Sequence, residues 1–350
     1  MRIGMPINYA RDFHQTVEGL REYEEGGLDV VFLPEAYTFD AVSQLGYIAA
    51  KTSTLRLCSS ILNIYSRTPT LLAMTAAGLD YVSGGRFMMG IGASGPQVIE
   101  GFHGLRHDAP LARTREVVEI CHQVWRREPV EFHGTYHDIP LSTEKGGSGL
   151  GKPLKLINHP VRDRIPVMLA ALGPKNVELA AELFDGWEPL FYFPERAGEA
   201  FADALRAGRS KRSAELPPLD VIVDAKVLIS EDDAELAAGR QQVREHLALY
   251  IGGMGAKGKN FYNDLAGRFG FADAAAEVQE LFLAGRRKEA AAAIPRRLVD
   301  GVALVGAPGW VAERLAAFAE SGVTTLNATP LAATHQRRVE DITALRRYVG

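Results

Sequence analysis

A chain of 350 residues, 47% of them hydrophobic, can bury one large core, and that length falls within the range of a single (β/α)₈ barrel with insertions. Its 39 Lys and Arg against 43 Asp and Glu leave a formal net charge of −4 with no long block of one sign, which argues against a nucleic-acid partner. No apolar run is long enough to span a bilayer and the first residues lack the pattern of a secretion signal, so a cytoplasmic protein with no membrane partner is expected.

Short apolar runs alternate with helical periods along nearly the whole chain, the pattern of a parallel sheet in which each strand is followed by a packed helix. In chain order the strand candidates are Arg2 to Ile7, Asp29 to Leu33, Leu55 to Ile61, Arg86 to Gly92, Pro166 to Ala171, Asp185 to Phe191, Val221 to Ile229 and Thr324 to Thr329. Most are near-continuous apolar runs, as in Val30-Val31-Phe32-Leu33, which suits strands buried on both faces. Eight such strands predict an α/β fold closed into a (β/α)₈ TIM barrel, one domain over residues 1–350. The helices carry ordinary punctuation: Thr68 as N-cap, Pro69 at the first helical position, and Ser83-Gly84-Gly85 at the close. Two stretches break the rhythm, about 128–165 after the fourth strand and about 251–307 after the seventh. Insertions that follow strand C-termini shape a pocket or lid in such barrels. Cys58 falls in a strand and Cys121 in a helix, with neither a disulfide framework nor zinc spacing, and both are expected in the core.

Several segments could carry chemistry. Leu33-Pro34-Glu35-Ala36-Tyr37 ends the second strand and places a carboxylate and a phenol where catalytic side chains gather. Glu35 can handle a proton, or it can pair with a basic group such as Arg67 and brace the loop. Gly90-Ile91-Gly92-Ala93-Ser94-Gly95 spells G-x-G-x-x-G, yet it follows the fourth strand, Pro96 comes at once, and Glu116 and Glu119 fall within a helix. Backbone lining a cofactor at a barrel mouth is therefore a better reading than a dinucleotide-binding turn, since glycine lets the main chain approach a flat ring. Gly173-Pro174-Lys175-Asn176 follows the fifth strand and opens a helix, where free N–H groups and a lysine suit a phosphate. The run from Gly252 to Asn260, with Gly253, Met254, Lys257 and Lys259, reads as a lid gripping an anionic tail or as a solvated linker. Gly146 to Lys152 is a flap or a linker. His133 and His137 have i,i+4 spacing, but Pro129 and Gly134 make that stretch a loop or hairpin, and His103 and His107 meet the same objection. No metal is expected.

Three segments, taken in order, resemble the luciferase-like family, especially its branch using the deazaflavin coenzyme F420, over essentially the whole chain. They are Cys58-Ser59-Ser60-Ile61-Leu62-Asn63, Ser83-Gly84-Gly85-Arg86 leading to Gly90 through Gly95, and Ala171-Leu172-Gly173-Pro174-Lys175-Asn176 with Asp185-Gly186-Trp187 beyond. The resemblance implies a cis Ser60-Ile61 peptide in the bulge after the third strand, supporting one face of the cofactor ring. It also implies that the loops at Ala93-Ser94-Gly95 and Gly173-Pro174-Lys175 hold the ring edge and the phosphate. Ser60, Ile61, Asn63, Gly92, Ala93, Ser94, Gly95, Leu172, Gly173, Pro174 and Lys175 are then the cofactor-binding candidates. The chain departs from related sugar-phosphate and alcohol dehydrogenases at two places. Their acidic residue followed by His after the second strand is Glu35-Ala36 here, and their glutamate in the fourth-strand loop is missing from Ser94-Gly95-Pro96-Gln97. Glu35 and Tyr37 stand as candidates for proton handling, with Asn8 and Tyr9 as substrate contacts.

The activity implied is hydride transfer between coenzyme F420 and a small organic substrate with an alcohol, C=N or activated C=C group, in a homodimer. The alternative within the same family is an FMN-dependent monooxygenase, in which reduced flavin reacts with oxygen. A third reading is a barrel that only stores or senses flavin. Cofactor choice separates the two enzymatic readings.

Overall fold

The computed structural model describes residues 1–7, 12–255 and 257–350, so Asn8 and Tyr9 lie outside the described residues. Eight parallel strands form a closed barrel: β1 (Arg2–Pro6), β2 (Val30–Leu33), β3 (Arg56–Ser59), β4 (Phe87–Gly92), β5 (Val167–Ala170), β6 (Gly186–Glu188), β7 (Asp220–Ile229) and β8 (Thr325–Pro330). Closure runs through Arg2↔Thr325, Ile3↔Leu326 and Gly4↔Asn327, where β8 meets β1. Every strand anticipated from sequence is present, although Asp185 to Phe191 contributes only three residues to the ladder. One further strand, Leu304–Gly306, pairs with the far end of β7 inside the 251–307 stretch. It is too short to leave a periodic signal.

The alternation of side chains divides the strands between two cores. Ile3, Val31, Leu57, Met89, Val167 and Val223 point outward into the layer beneath the helices, whereas Val30, Phe32, Cys58, Met168 and Ile222 fill the lumen. Gly4 belongs to the lumen face, and a Cβ there would come within 2.6 Å of the Phe32 ring, so the bare backbone makes room for that ring. Register carries the lumen face upward to Glu188 beside Ala170 and to Asp224 beside Asn327. The lumen is thus apolar at its middle and polar toward the strand C-termini.

β3 uses one residue more than β4 between the paired positions Cys58↔Met88 and Leu62↔Ile91, which is a bulge. Within it the Ser59 hydroxyl donates to the Gly90 carbonyl and accepts from the Gly90 N–H, both at 2.9 Å. The Ser60–Ile61 peptide is cis, as the resemblance implied.

The two irregular stretches sit at opposite ends of the barrel. Residues 128–165 come only after the helix Pro110–Trp125 has run back down, and they are anchored by Arg162 to Asp80 and to the Phe87 carbonyl at the start of β4. This stretch, with its hairpin of Phe132–His133 and Asp138–Ile139, therefore lies at the strand N-termini. The glycine-rich run 146–152 belongs to that end and does not cover the mouth, which corrects the expectation that both insertions shape a pocket. By contrast, Arg268 of the second stretch donates to the Leu172 and Ala200 carbonyls at 3.0 and 2.9 Å, which places its helices over the loop after β5. No described helix is long and apolar enough to cross a membrane.

Candidate active site

The loop after β2 carries Glu35 and Tyr37. Arg67 grips the Glu35 carboxylate with two hydrogen bonds of 2.7 and 2.8 Å, and Glu35 Oε2 also accepts from the Ala41 N–H at 3.0 Å. Arg67 reaches Asp40 as well, and its guanidinium is held above its ordinary pKa, first by the hydrogen bonds to Glu35. Glu35 is thus in the bracing arrangement that the sequence left open. Tyr37 is exposed and leans against the Phe102 ring, centroids 6.2 Å apart.

Around the bulge after β3, Ile61 packs against the lumen core and Ser60 donates to Glu188 Oε2 at 3.1 Å. Asn63 is buried and shapes the next turn: its carbonyl oxygen accepts from the N–H groups of Tyr65 and Ser66 at 3.0 and 2.8 Å. Its amide nitrogen lies 3.5 Å from His103 Nε2, which brings one histidine to the rim. His133 and His137 instead pair with Asp138 and Glu116 at the opposite end.

After β4 the backbone is bare. A Cβ on Gly92 would meet Ile61 at 3.1 Å, whereas one on Gly95 would meet nothing within 4 Å. Between them Ala93 is half-buried and Ser94 is exposed, with a left-handed φ of 52°. After β5, Leu172 offers its carbonyl to Arg268, and Gly173 precedes the helix Pro174–Leu183 with open space where a side chain would be. No side chain caps that helix: Pro174 has no N–H, the Asn176 and Val177 N–H groups both donate to the Gly173 carbonyl at 3.0 Å, and the Lys175 N–H remains at the helix start. Lys175 is exposed and lies 2.9 Å from Glu178.

The insertion supplies the remaining wall. Phe191, just past β6, meets the rings of His246, Tyr250 and Tyr262 edge-on at 5.7, 5.5 and 5.9 Å. Gly253 is pressed against Phe282, where a Cβ would come within 2.4 Å, so packing rather than a ligand requires glycine there. Met254, Lys257 and Lys259 are exposed on the loop that follows. Asn260 anchors that loop, donating to the Tyr250 and Ile251 carbonyls at 2.9 Å and capping the next helix.

Sequence reasoning missed the floor. Glu188, Asp224 and Asn327 face the lumen below the mouth, and the Asn327 amide donates to Asp224 Oδ1 at 2.8 Å while also contacting Glu188. Burial pushes both carboxyls above the usual carboxylate range, and for Asp224 the neighbouring Glu188 charge adds to it. Lys226, one lumen position above Asp224, is lowered by burial, and His246 is pushed down to about 3 by burial and then by the Lys226 charge. A signal was available: charged side chains at alternate positions of a strand in an all-parallel barrel cannot reach solvent on the outer face.

A parallel barrel with ionisable groups at the C-terminal end of its lumen, ringed by loops of bare backbone, is the arrangement in which (β/α)₈ enzymes carry their active sites. Over residues 1–325 the chain matches the model of the luciferase-like monooxygenase family, and it belongs to that family. It is 42% identical, over 99% of both chains, to a Mycobacterium tuberculosis protein named for coenzyme F420-dependent oxidoreduction. It is 27% identical to the 5,10-methylenetetrahydromethanopterin reductase of Archaeoglobus fulgidus, over 93% of this chain and 92% of that one. The coenzyme F420-dependent tetrahydromethanopterin reductase of Methanopyrus kandleri shares the fold at a TM-score of 0.80 and 20% identity, covering 98% of this chain and 97% of the other.

Proposed function

We propose that this chain is an F420-dependent oxidoreductase that transfers a hydride between the deazaflavin ring and a small organic substrate. The observation that carries the reading is the shape of the mouth. The bulge at Ser60 and Ile61 and the backbone left bare at Gly95 and Gly173 follow three neighbouring strands, β3, β4 and β5, and the helix start at Pro174 offers the Lys175 N–H and the positive end of its dipole to a phosphate. A flat ring carrying a phosphorylated side arm fits that arrangement, and the 42% identical relative is named for this coenzyme.

When bound, the deazaflavin supplies a hydride donor or acceptor. The chain's own groups do the rest. Gly92 through Gly95 and Leu172 through Lys175 would hold the ring edge and phosphate, and Ile61 would support the ring. The aromatic wall of Phe191, Tyr250 and Tyr262 keeps water from the reacting side. Lys257 and Lys259, exposed on a loop anchored by Asn260, are placed to meet an anionic tail. The substrate is an alcohol, a C=N compound or an activated C=C compound. The test follows the cofactor's absorbance under argon as candidate substrates are added. Substrate-dependent bleaching or recovery supports hydride transfer, whereas oxygen consumption with reduced FMN that rises with substrate moves the chain to the monooxygenase side of its family.

The working protein is proposed to be a cytoplasmic homodimer. Leu150, Leu154 and Ile157 are 84, 77 and 90% exposed on one stretch, and these apolar side chains are offered to a second copy of the chain. Sedimentation should give a dimer for the native chain and a monomer for a combined Leu154→Glu and Ile157→Glu variant; a native monomer would remove this part of the reading.

A further inference from the structure

Apart from the Ser60 hydrogen bond to Glu188, Glu188 and Asp224 are given no task by the contacts that shape the cofactor loops. Glu188 is 94% buried, and while Ser60 donates to its Oε2, its Oε1 has no hydrogen-bond partner among the described residues. The Asn327 carbonyl oxygen, in a side chain 98% buried, has none either. Buried polar atoms are seldom left unpaired, so two acceptors in one small space need a donor. An acid proton on one of the carboxyls is such a donor.

We infer that Glu188 and Asp224, joined by the Asn327 amide, share one acidic proton and form the proton reservoir of the active site, with Ser60 linking it to the ring-supporting bulge. This rests on the reading of the mouth as a deazaflavin site. The groups facing the pair are Cys58 from β3, Asp220 and Lys226 from β7, His246 from the helix Asp233–Ala248 and Tyr262 from the helix Phe261–Arg268. Burial keeps the thiol and the phenol protonated and the imidazole neutral. Asp220 is engaged by Arg2. Lys226 is then the one cation near the pair among the described residues, enough to balance a single carboxylate. Two like charges sharing one buried space ionise one at a time, so the second carboxyl keeps its proton when the first has lost its own.

The chemistry needs such a group. Reducing C=O, C=N or C=C adds one hydride and one proton. A bound deazaflavin would supply the hydride, and the proton leaves the carboxyl O–H as the new bond to substrate oxygen, nitrogen or carbon forms. The carboxylate left behind is reprotonated from water. Asp224 keeps partial solvent exposure although its side chain faces the lumen, so water meets it by way of the mouth. Oxidation runs the same transfers in reverse.

The sign of the pH dependence follows. A carboxyl whose pKa is raised in the folded chain keeps a proton that the unfolded chain has lost, so its contribution makes stability fall as pH rises from the ordinary carboxylate range through neutrality. Burial pushes Asp341, on the last helix, up to about 7, so it must be removed from the comparison. The experiment is an infrared titration of the cofactor-free protein in an Asp341→Asn background, from about pH 4 to 9, with Glu188→Gln and Asp224→Asn added singly. A protonated-carboxyl band that persists to neutral pH, and that either substitution abolishes or shifts, is expected. A band absent above the ordinary carboxylate range, or unchanged in both variants, overturns the inference. Calorimetry of F420 binding in two buffers of different ionisation heat gives a second readout, with a proton uptake or release that Glu188→Gln abolishes. Equal proton counts in the two proteins contradict the coupling. Turnover of Glu188→Gln should fall at least 100-fold with cofactor affinity within about threefold. Should F420 fail to bind, the cofactor reading falls while the infrared titration still decides the pair.

Discussion

Arg67→Ala is expected to destabilise the protein by about 3 kcal/mol or more, because it strands a buried carboxylate. Arg67 and Glu35 side chains are only 15 and 10% exposed, and their two-point contact at 2.7 and 2.8 Å ties the loop after β2 to the one after β3. Removing the guanidinium leaves the Glu35 carboxylate with the Ala41 N–H as its remaining partner among the described residues. Glu35→Gln separates bracing from catalysis. In the bracing role it lowers the unfolding midpoint and leaves the pH profile of kcat where it was. A profile that loses its acidic limb in a variant of unchanged stability would instead make Glu35 a proton-transfer group. Urea unfolding at pH 7 and a pH–rate profile on the same two variants decide between them.

Gly90→Ala is expected to be worse still, failing to fold or losing more than about 3 kcal/mol. Its added Cβ would sit 1.8 Å from the Ser59 carbonyl oxygen and 2.6 Å from the Met168 methyl. The first of these is backbone, so no side-chain rotation relieves it. The clash falls on the bulge, where Ser59 bridges both polar groups of Gly90, so β3 and β4 would have to part at the residues that present Ser60 and Ile61 to the mouth. Gly92→Ala makes a graded comparison. Its Cβ would meet the flexible end of Ile61 at 3.1 Å, so the chain should fold while the ring site narrows. Circular dichroism melts of the two variants test the difference, and a Gly90→Ala protein with a native melting temperature would mean that the bulge is not built as described.

The barrel was legible because its signal is repeated eight times: an apolar run such as Val30 to Leu33, a helix with its own cap, and another run. Closure needs no separate signal once the strands are parallel and their count is right. The loops proposed to hold the cofactor are marked in the sequence by glycine and proline, which set backbone geometry directly, as at Gly92, Gly173 and Pro174. Position relative to the barrel ends was less legible. Residues 128–165 follow the fourth strand in the chain, but a full helix intervenes and carries them to the other end, and no single residue records that reversal. The floor was missed for a different reason. Glu188 belongs to a strand of three residues and Asn327 to one that also carries two threonines, so neither interrupts a long apolar run. Asp224 and Lys226 do interrupt one, and only their alternate spacing within a strand enclosed on both sides shows that they share the lumen. Their meeting with Ser60 joins four separate strands or loops, a relation that spacing along the chain does not contain.

The most direct test of the account is a pair of fluorescence titrations of the purified protein, with coenzyme F420 and with FMN. Saturable F420 binding at micromolar concentration, with FMN at least tenfold weaker, is the predicted result. Selective binding of FMN, or of neither, would contradict a deazaflavin site at this barrel's mouth.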